Sequence, residues 1–309
     1  MVRTGGSHPP NTGSIPVGAK RKIIIFFENT MNNPASREID ETTASWSYAE
    51  LWDKYPIPAR PDAEELVIEE KDILGSGKNV RDVAAMILGS TIEYRSLCKK
   101  LGITPDVVDF TRQNFDSLTS YATEKFDNER FVEADWLEVN YQNHFDYILG
   151  HRAFNVIRHD QVLTLFQKMY DSLKAGGVFF CRGNVKFPTG NAELAEIIDK
   201  WALTPNRPYR LFSYLEVALY MHCADEEGYL DYRKARAVMK KFYEQGKITD
   251  EDYKDIQPLI SMAPGTKFRS FITKEELEKN MKEAGFQKIE WLFTSHEFTK
   301  NMPIIKLTK

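Results

Sequence analysis

The chain has 309 residues, 42% of them hydrophobic and 12% aromatic, which supports a buried core and excludes a disordered chain. Its 41 Lys and Arg stand against 45 Asp and Glu, a formal charge of −4, so it lacks the basic excess of a bulk nucleic-acid binder. In chain order, residues 1–20 come first: they are rich in Gly, Pro, Ser and Thr, hold no apolar signal core, and read as a flexible arm. Ile23 to Phe27 is apolar but short, and no later run approaches the roughly 18–20 residues of a membrane span. A cytoplasmic location is the expectation.

Residues 28–45 are polar and show no clear period. Tyr48, Leu51, Trp52 and Tyr55 then follow at helical spacing before Pro56, Pro58 and Pro61, which gives an aromatic face. That face either packs on the core or closes over a ligand. Glu64 to Leu74 reads as a short helix stopped by Gly75-Ser76-Gly77, and residues 21–79 together are read as an N-terminal helical lid segment.

From Val80 the pattern becomes a regular alternation. Val80 to Leu88 leads into a first strand, Ile92 to Lys100 into a helix, and Val107–Asp109 is a second strand. Asn114–Lys125 is a helix, Arg130–Ala134 a third strand and Tyr147–Leu149 a fourth. Val162–Leu173 is an amphipathic helix, Lys174 to Gly177 a helix stop and turn, and Val178–Cys181 a fifth strand. Strands alternating with helices at this spacing imply an α/β fold, a doubly wound, Rossmann-like sheet with helices on both faces. From Lys186 the pattern turns helical: Ala192–Trp201, Tyr214–Ala224, Tyr232–Gln245 and Asp250–Leu259. Residues 186–269 are therefore a helical insertion, and 80–185 with 270–309 form the core. Thr273 and Glu276 spell a capping box for a helix Lys274–Ala284 that stops at Gly285. Lys288–Phe293 and Met302–Leu307 close a seven-stranded sheet as an antiparallel pair. Cys98, Cys181 and Cys223 are odd in number and widely spaced, which argues against a disulfide framework and identifies no metal site.

Two glycine turns compete for a cofactor. Gly75-Ser76-Gly77 follows a segment too charged for a buried parallel strand, has Val80 where a third glycine belongs, and lies 34 residues before Asp109. Leu88-Gly89-Ser90-Thr91 follows an apolar strand, and Asp109 lies twenty residues beyond Gly89 at the tip of the next strand, the interval of about 20 at which a doubly wound fold places its ribose-binding acid. There is no GxxxxGK[ST] sequence for a nucleoside triphosphate. A single glycine offers a diphosphate few open amides, and Glu93 would repel it. Both features favour an adenosine cofactor without phosphate, and S-adenosylmethionine fits.

Ile87 to Glu93 resembles the first motif of class I S-adenosylmethionine-dependent methyltransferases, and Val108-Asp109 resembles the second. Glu133-Ala134-Asp135-Trp136-Leu137 is similar to the third and Phe145 to Gly150 to the fourth. Leu173 to Gly177 is similar to the turn before strand five, and Ala284-Gly285-Phe286 to the approach to strand six. The resemblance covers roughly Val80 to Gly183 and Ser270 to Lys309. It implies that Gly89, Ser90, Thr91 and Glu93 meet the methionyl and ribose parts and that Asp109 binds the ribose hydroxyls. Phe110 and Trp136 would flank the adenine, Asp135 would accept from its amino group, and Gly150 would carry backbone past the sulfonium. The product would be S-adenosyl-L-homocysteine. As plain residues, Asp109 and Asp135 can also be strand-end turn residues, and Trp136 can be core.

His151 ends strand four where many relatives carry an acid or asparagine. It is the candidate general base for an alcohol, phenol or amine acceptor, with a hydrogen-bonded structural histidine as the alternative. Arg182 either binds an acceptor carboxylate or pairs with an acid. His159 reads as a surface or capping residue. In the insertion, Tyr214 and His222, with Tyr209, Phe212, Tyr220 and Tyr229, can enclose a small acceptor together with Trp52 and Tyr55. The expected function is methyl transfer to O, N or C of a small molecule, with specialised biosynthesis as a setting. Gly150-His151-Arg152-Ala153 lacks the Asn/Asp-Pro-Pro-Tyr of base N-methyltransferases. The alternatives are a protein of this fold that binds the cofactor without transferring methyl, and a nucleotide-linked oxidoreductase. The polar N-terminal stretch can reach a partner chain, which allows a homodimer.

Overall fold

Four fully buried residues, Ala85–Leu88, form β1, and the five buried residues Pro105–Asp109 form β2. Continuous apolar burial of this kind belongs to a parallel sheet covered on both faces. The computed structural model describes residues 52, 55, 57–187, 191–207, 209–260, 271–296 and 299–309, all within one unit, Ile39–Lys309. The expected arm at 1–20, and Tyr48 and Leu51 of the aromatic face, lie outside the described residues.

The remaining strands are β3 (Arg130–Glu133), β4 (Phe145–His151), β5 (Leu173–Arg182), β6 (Lys288–Leu292) and β7 (Ile304–Thr308). The sheet order is β3-β2-β1-β4-β5-β7-β6. The first five strands run parallel, and β7 is antiparallel to both β5 and β6. This is the Rossmann-like, seven-stranded methyltransferase sheet implied by the sequence. The order reverses between β1 and β4, which leaves a crevice at their carboxyl ends where doubly wound sheets bind ligands.

The two faces are sorted by the strand period of two. Met86 and Leu88 join one core cluster, with Val108, Ile148 and Phe179. Ala85 and Ile87 join the other, with Val107, Leu149 and Phe180. The first face is covered by α4 (Val162–Ser172) and α9 (Lys274–Glu283), the second by α1 (Ala63–Gly75) and α2 (Ile92–Leu101). α3 (Arg112–Tyr121) links β2 to β3, and Thr111 caps it by accepting from Asn114 N. Thr273 caps α9 by accepting from Glu276 N at 3.2 Å.

Two local features differ from the sequence reading. Val80–Asp82 is a 3-10 turn, so β1 starts only at Ala85. Strand pairing also begins at Leu173, directly after α4, because that residue is already extended. Lys174–Gly177 then bulges out between the pairs Leu173–Phe145 and Val178–Tyr147. Gly177 is required there: a Cβ would stand 2.9 Å from the Lys174 carbonyl oxygen.

The segment between β5 and α9 contributes α5 (Asn191–Leu203), α6 (Leu211–Cys223), α7 (Tyr232–Glu244) and α8 (Asp250–Ile256). They share an apolar cluster of their own, which includes Leu194, Leu215, Leu219, Met239 and Ile256.

Candidate functional site

The carboxyl ends of β1, β2 and β3 bring together seven of the residues singled out in the sequence, Gly89, Ser90, Thr91, Asp109, Phe110, Asp135 and Trp136. Gly89 leaves β1 at φ +82, a conformation that glycine adopts without steric cost. Its N–H donates to Val108 O at 2.8 Å, which draws the turn against β2. Ser90 Oγ donates to Asp109 Oδ2 at 2.6 Å. Asp109 Oδ1 accepts from Phe110 N at 2.7 Å and from Asn114 Nδ2 at 3.5 Å. Burial raises the Asp109 carboxyl above the ordinary aspartate value, with the Ser90, Asn114 and backbone hydrogen bonds acting against it. The carboxylate is thus held in one rotamer at the strand tip, with Oδ1 accepting two hydrogen bonds, one of them long, and Oδ2 accepting from Ser90.

Trp136 donates Nε1–H to Val108 O at 2.8 Å and is buried. Its ring edge is the one atom near Gly89, 3.5 Å from where a Cβ would stand. Phe110 is 36% exposed, with its ring centroid 5.8 Å from that of Trp136. Asp135 is half-buried, and its Oδ1 accepts from Leu137 N at 2.8 Å. Thr91 is buried at the N-terminus of α2 and makes no side-chain capping bond.

Glu93, in the first turn of α2, faces Arg60. Arg60 Nε lies 3.3 Å from Glu93 Oε1, and Arg60 Nη1 donates to Trp52 O at 3.0 Å. Glu93 Oε2 is buried without a hydrogen-bond partner among the described residues. Burial raises the Glu93 carboxyl, and the Arg60 charge opposes that. Trp52 is buried beneath the Arg60 guanidinium, and Tyr55 packs against the apolar cluster of the insertion.

Gly150 pairs in register with Leu88 and Cys181, and a Cβ there would meet Phe179, Ala153 and Leu88 at 3.2–3.3 Å. Beyond it, His151 and Arg182 sit opposite one another at the tips of β4 and β5. His151 Nδ1 lies 3.2 Å from Glu65 Oε1 and Nε2 lies 3.0 Å from Pro58 O. Both contacts are to oxygens that only accept, and the side chain is 4% exposed. Burial lowers its titration below the ordinary histidine value, and the Glu65 charge opposes this. In this geometry both ring nitrogens of His151 face protein oxygens, as the reading of a hydrogen-bonded histidine expects.

Arg182 is 1% exposed. Its Nη1 donates to Asp62 Oδ2 at 2.7 Å and Glu65 Oε2 at 2.6 Å, its Nε to Met302 O at 3.1 Å, and its Nη2 to Thr294 Oγ1 at 3.4 Å. Four of its five N–H groups are engaged, so no bidentate fork remains for an acceptor carboxylate. Of the two sequence readings, pairing with an acid is the one observed. Tyr214 and His222 are half-buried on α6, eight residues apart. At 1.5 Å rise per residue that is about 12 Å along the helix axis. Phe212 and Tyr220 are buried in the insertion core. His159 stacks on Tyr229 at a centroid distance of 5.0 Å.

Asp62, Glu65, Arg152 and Glu216 were not singled out in the sequence. Arg152 follows His151 in the left-handed region, φ 58, and forms a buried bidentate pair with Glu216 of α6 at 2.6 and 2.7 Å. The available signal was the spacing Asp62, Glu65, Glu69, which places three carboxyls on one side of α1. Among the described residues no group of three or more His, Cys, Asp or Glu side chains is arranged to hold a metal ion, and no helix is long and apolar enough to cross a membrane.

The same fold occurs in distant solved structures. A proposed Zn-dependent alcohol dehydrogenase from Rhodobacter sphaeroides aligns with a TM-score of 0.50 at 15% identity, over 86% of this chain and 99% of that one. The magnesium protoporphyrin IX methyltransferase from Synechocystis, solved with S-adenosylhomocysteine bound, aligns at 0.46 and 10% identity, over 80% and 82%. The S-adenosylmethionine-dependent methyltransferase SibL aligns at 0.44 and 12% identity, over 80% of this chain and 56% of that one, so the chain spans little more than half its length. At such identities a likeness reaches no further than the fold. No family model matches the chain, and no curated protein matches it in sequence.

Proposed function

We propose that the chain binds S-adenosylmethionine at the carboxyl ends of β1, β2 and β4 and transfers its methyl group to a small-molecule acceptor. The observation that carries this reading is the 2.6 Å bond from Ser90 to Asp109. It joins the single-glycine turn after β1 to the acid at the tip of β2, the pair a doubly wound fold uses for adenosine. Two features of the chain suit this cofactor better than a dinucleotide. Gly89 leaves an open cradle: a Cβ there would meet Trp136 at 3.5 Å and, among the described residues beyond its chain neighbours, nothing else within 4 Å. Glu93 presents a buried carboxylate oxygen without a partner among the described residues, which suits an ammonium or sulfonium and repels a diphosphate.

When bound, S-adenosylmethionine supplies a methyl carbon already activated by its sulfonium. Asp109 then accepts from the ribose hydroxyls, with the long 3.5 Å contact from Asn114 as the one most readily given up, while Phe110 and Trp136 flank the base. Asp135 is the candidate acceptor for the adenine amino group. Gly150, where a Cβ would press on Phe179, Ala153 and Leu88, keeps bare backbone at the crevice. Alignment of the acceptor is the main task left to the protein, and the half-buried Tyr214 and His222 are candidate contacts. With His151 committed to Glu65 and Pro58, proton removal falls to another group or is not needed.

Calorimetric titration with S-adenosylmethionine and with NAD tests the cofactor, and production of S-adenosylhomocysteine with acceptor panels tests transfer. Binding of the first and not of NAD is expected. A second reading, cofactor binding without transfer, is favoured by the absence of a free base at His151, and it predicts binding with no demethylated product. Tight NAD binding would instead support a nucleotide-linked oxidoreductase.

A further inference from the structure

Residues 57–62 run past the tips of β4 and β5 and the first turn of α2, and their fastenings are unequal. At Asp62 the carboxylate accepts from Arg182 Nη1 at 2.7 Å and from Glu65 N at 2.9 Å, both buried. At Pro58 the carbonyl faces His151 Nε2 at 3.0 Å and accepts from Arg152 Nη2 at 3.3 Å. At Arg60 the fastening is poor. Its Nε comes no closer than 3.3 Å to Glu93 Oε1, and both that nitrogen and Glu93 Oε2 are buried without a hydrogen-bond partner among the described residues. A buried ion pair is worth its desolvation cost only when the remaining donors and acceptors are also satisfied. Here one on each side is not. Trp52 supplies the rest of the surroundings: its carbonyl accepts from Arg60 Nη1, its ring lies under the guanidinium at 5.7 Å, and it hydrogen-bonds the Glu93 carboxylate. Glu93 follows Thr91 by two residues and thus lies beside the turn that the proposed cofactor must approach.

We propose that Arg60 is a placeholder cation, which neutralises Glu93 while the site holds no ligand and yields it to the cationic methionyl end of the cofactor. This rests on the cofactor reading above. A carboxylate in this position is costly without a counter-ion, and the chain supplies one that is weakly held, on a side chain 29% exposed. Ligand binding therefore exchanges one cation on Glu93 for another, and the Arg60 pair acts as a competitor that reduces apparent affinity.

The test is calorimetric titration of the full chain with S-adenosylhomocysteine, for wild type, Arg60→Met, Arg60→Lys, Glu93→Gln and the Arg60→Met/Glu93→Gln double variant. Removing a competing pair of this exposure is expected to tighten binding about three- to tenfold in Arg60→Met. Arg60→Lys keeps a cation on Glu93 and stays near wild type. In the Glu93→Gln background Arg60→Met has no effect, because the two act through one contact. Equal or weaker binding by Arg60→Met would overturn the placeholder and make Arg60 a contact of the ligand or a bystander. So would a gain that persists in the Glu93→Gln background. If wild type and every variant fail to bind, the cofactor reading itself falls and the placeholder with it. If Arg60→Met binds where wild type does not, the placeholder stands as a full block.

Discussion

Glu65 is the residue to which most of the buried charge at the strand ends is tied. It is fully buried and accepts from Tyr94 Oη at 2.8 Å and from Arg182 Nη1 at 2.6 Å, and it faces His151. Burial alone would raise its carboxyl, but the His151 and Arg182 charges and their hydrogen bonds outweigh this and hold it at about 2. Glu65→Gln leaves Arg182 short of an anion in a dry site and is expected to cost about 3–5 kcal/mol, read from chemical denaturation midpoints. Glu69, one turn on, behaves in the opposite way. Burial, and then the Glu65 charge, raise its carboxyl well above the ordinary value, and neither oxygen has a hydrogen-bond partner among the described residues. A group that holds its proton more tightly when folded contributes stability that is fully present below the ordinary glutamate value and is lost as pH rises through the raised one. Glu69→Gln cannot ionise, so its denaturation midpoint is expected to fall less than that of wild type between pH 5 and 8. An unchanged slope would place the loss elsewhere.

At the scale of elements, α1 and α6 carry the clearest departures from sequence reasoning. α1 turns Glu65, Glu69 and Ile73 inward while Val67 and Leu74 are 43% and 52% exposed. The run Leu66-Val67-Ile68 suggests the reverse, because the partners that make the acid face worth burying, His151 and Arg182, are more than 80 residues away in sequence and no local pattern announces them. Likewise Glu216 reads as a lone acid in an apolar helix until Arg152 is seen against it at 2.6 Å. What was legible followed from period: the β1 and β2 runs, the turn at Gly89, the capping Thr273 and the four helices of the insertion all show in spacing alone. The Arg152–Glu216 pair ties α6 to the tip of β4. Glu216→Leu alone strands a buried guanidinium and is expected to cost about 3–5 kcal/mol, whereas the Arg152→Met/Glu216→Leu double variant should recover a large part of that loss. Thermal midpoints of the three proteins measure it, and additive losses would mean that the pair is not a unit.

At the scale of the molecule, the alternation of strands and helices was enough to imply the doubly wound sheet, because each parallel crossover needs a helix and each buried strand needs an apolar run. The turn after β1 and the acid at the tip of β2 are legible in the sequence, because Gly89, Ser90 and Asp109 lie within one strand–helix–strand unit. Much less was legible at β4 and β5. His151 and Arg182 stand at the strand tips the sequence implies, but the acids they meet, Asp62 and Glu65, belong to the segment before β1. Those contacts turn two expected substrate-facing groups into fastenings of the fold. The central claim is that the Ser90–Asp109 corner holds an adenosine cofactor, and titration of wild type and Asp109→Ala with S-adenosylhomocysteine, with circular dichroism confirming both are folded, tests it most directly. The account predicts binding by wild type and at least tenfold weaker binding by Asp109→Ala; no binding by wild type, or equal affinity of the two proteins, would contradict it.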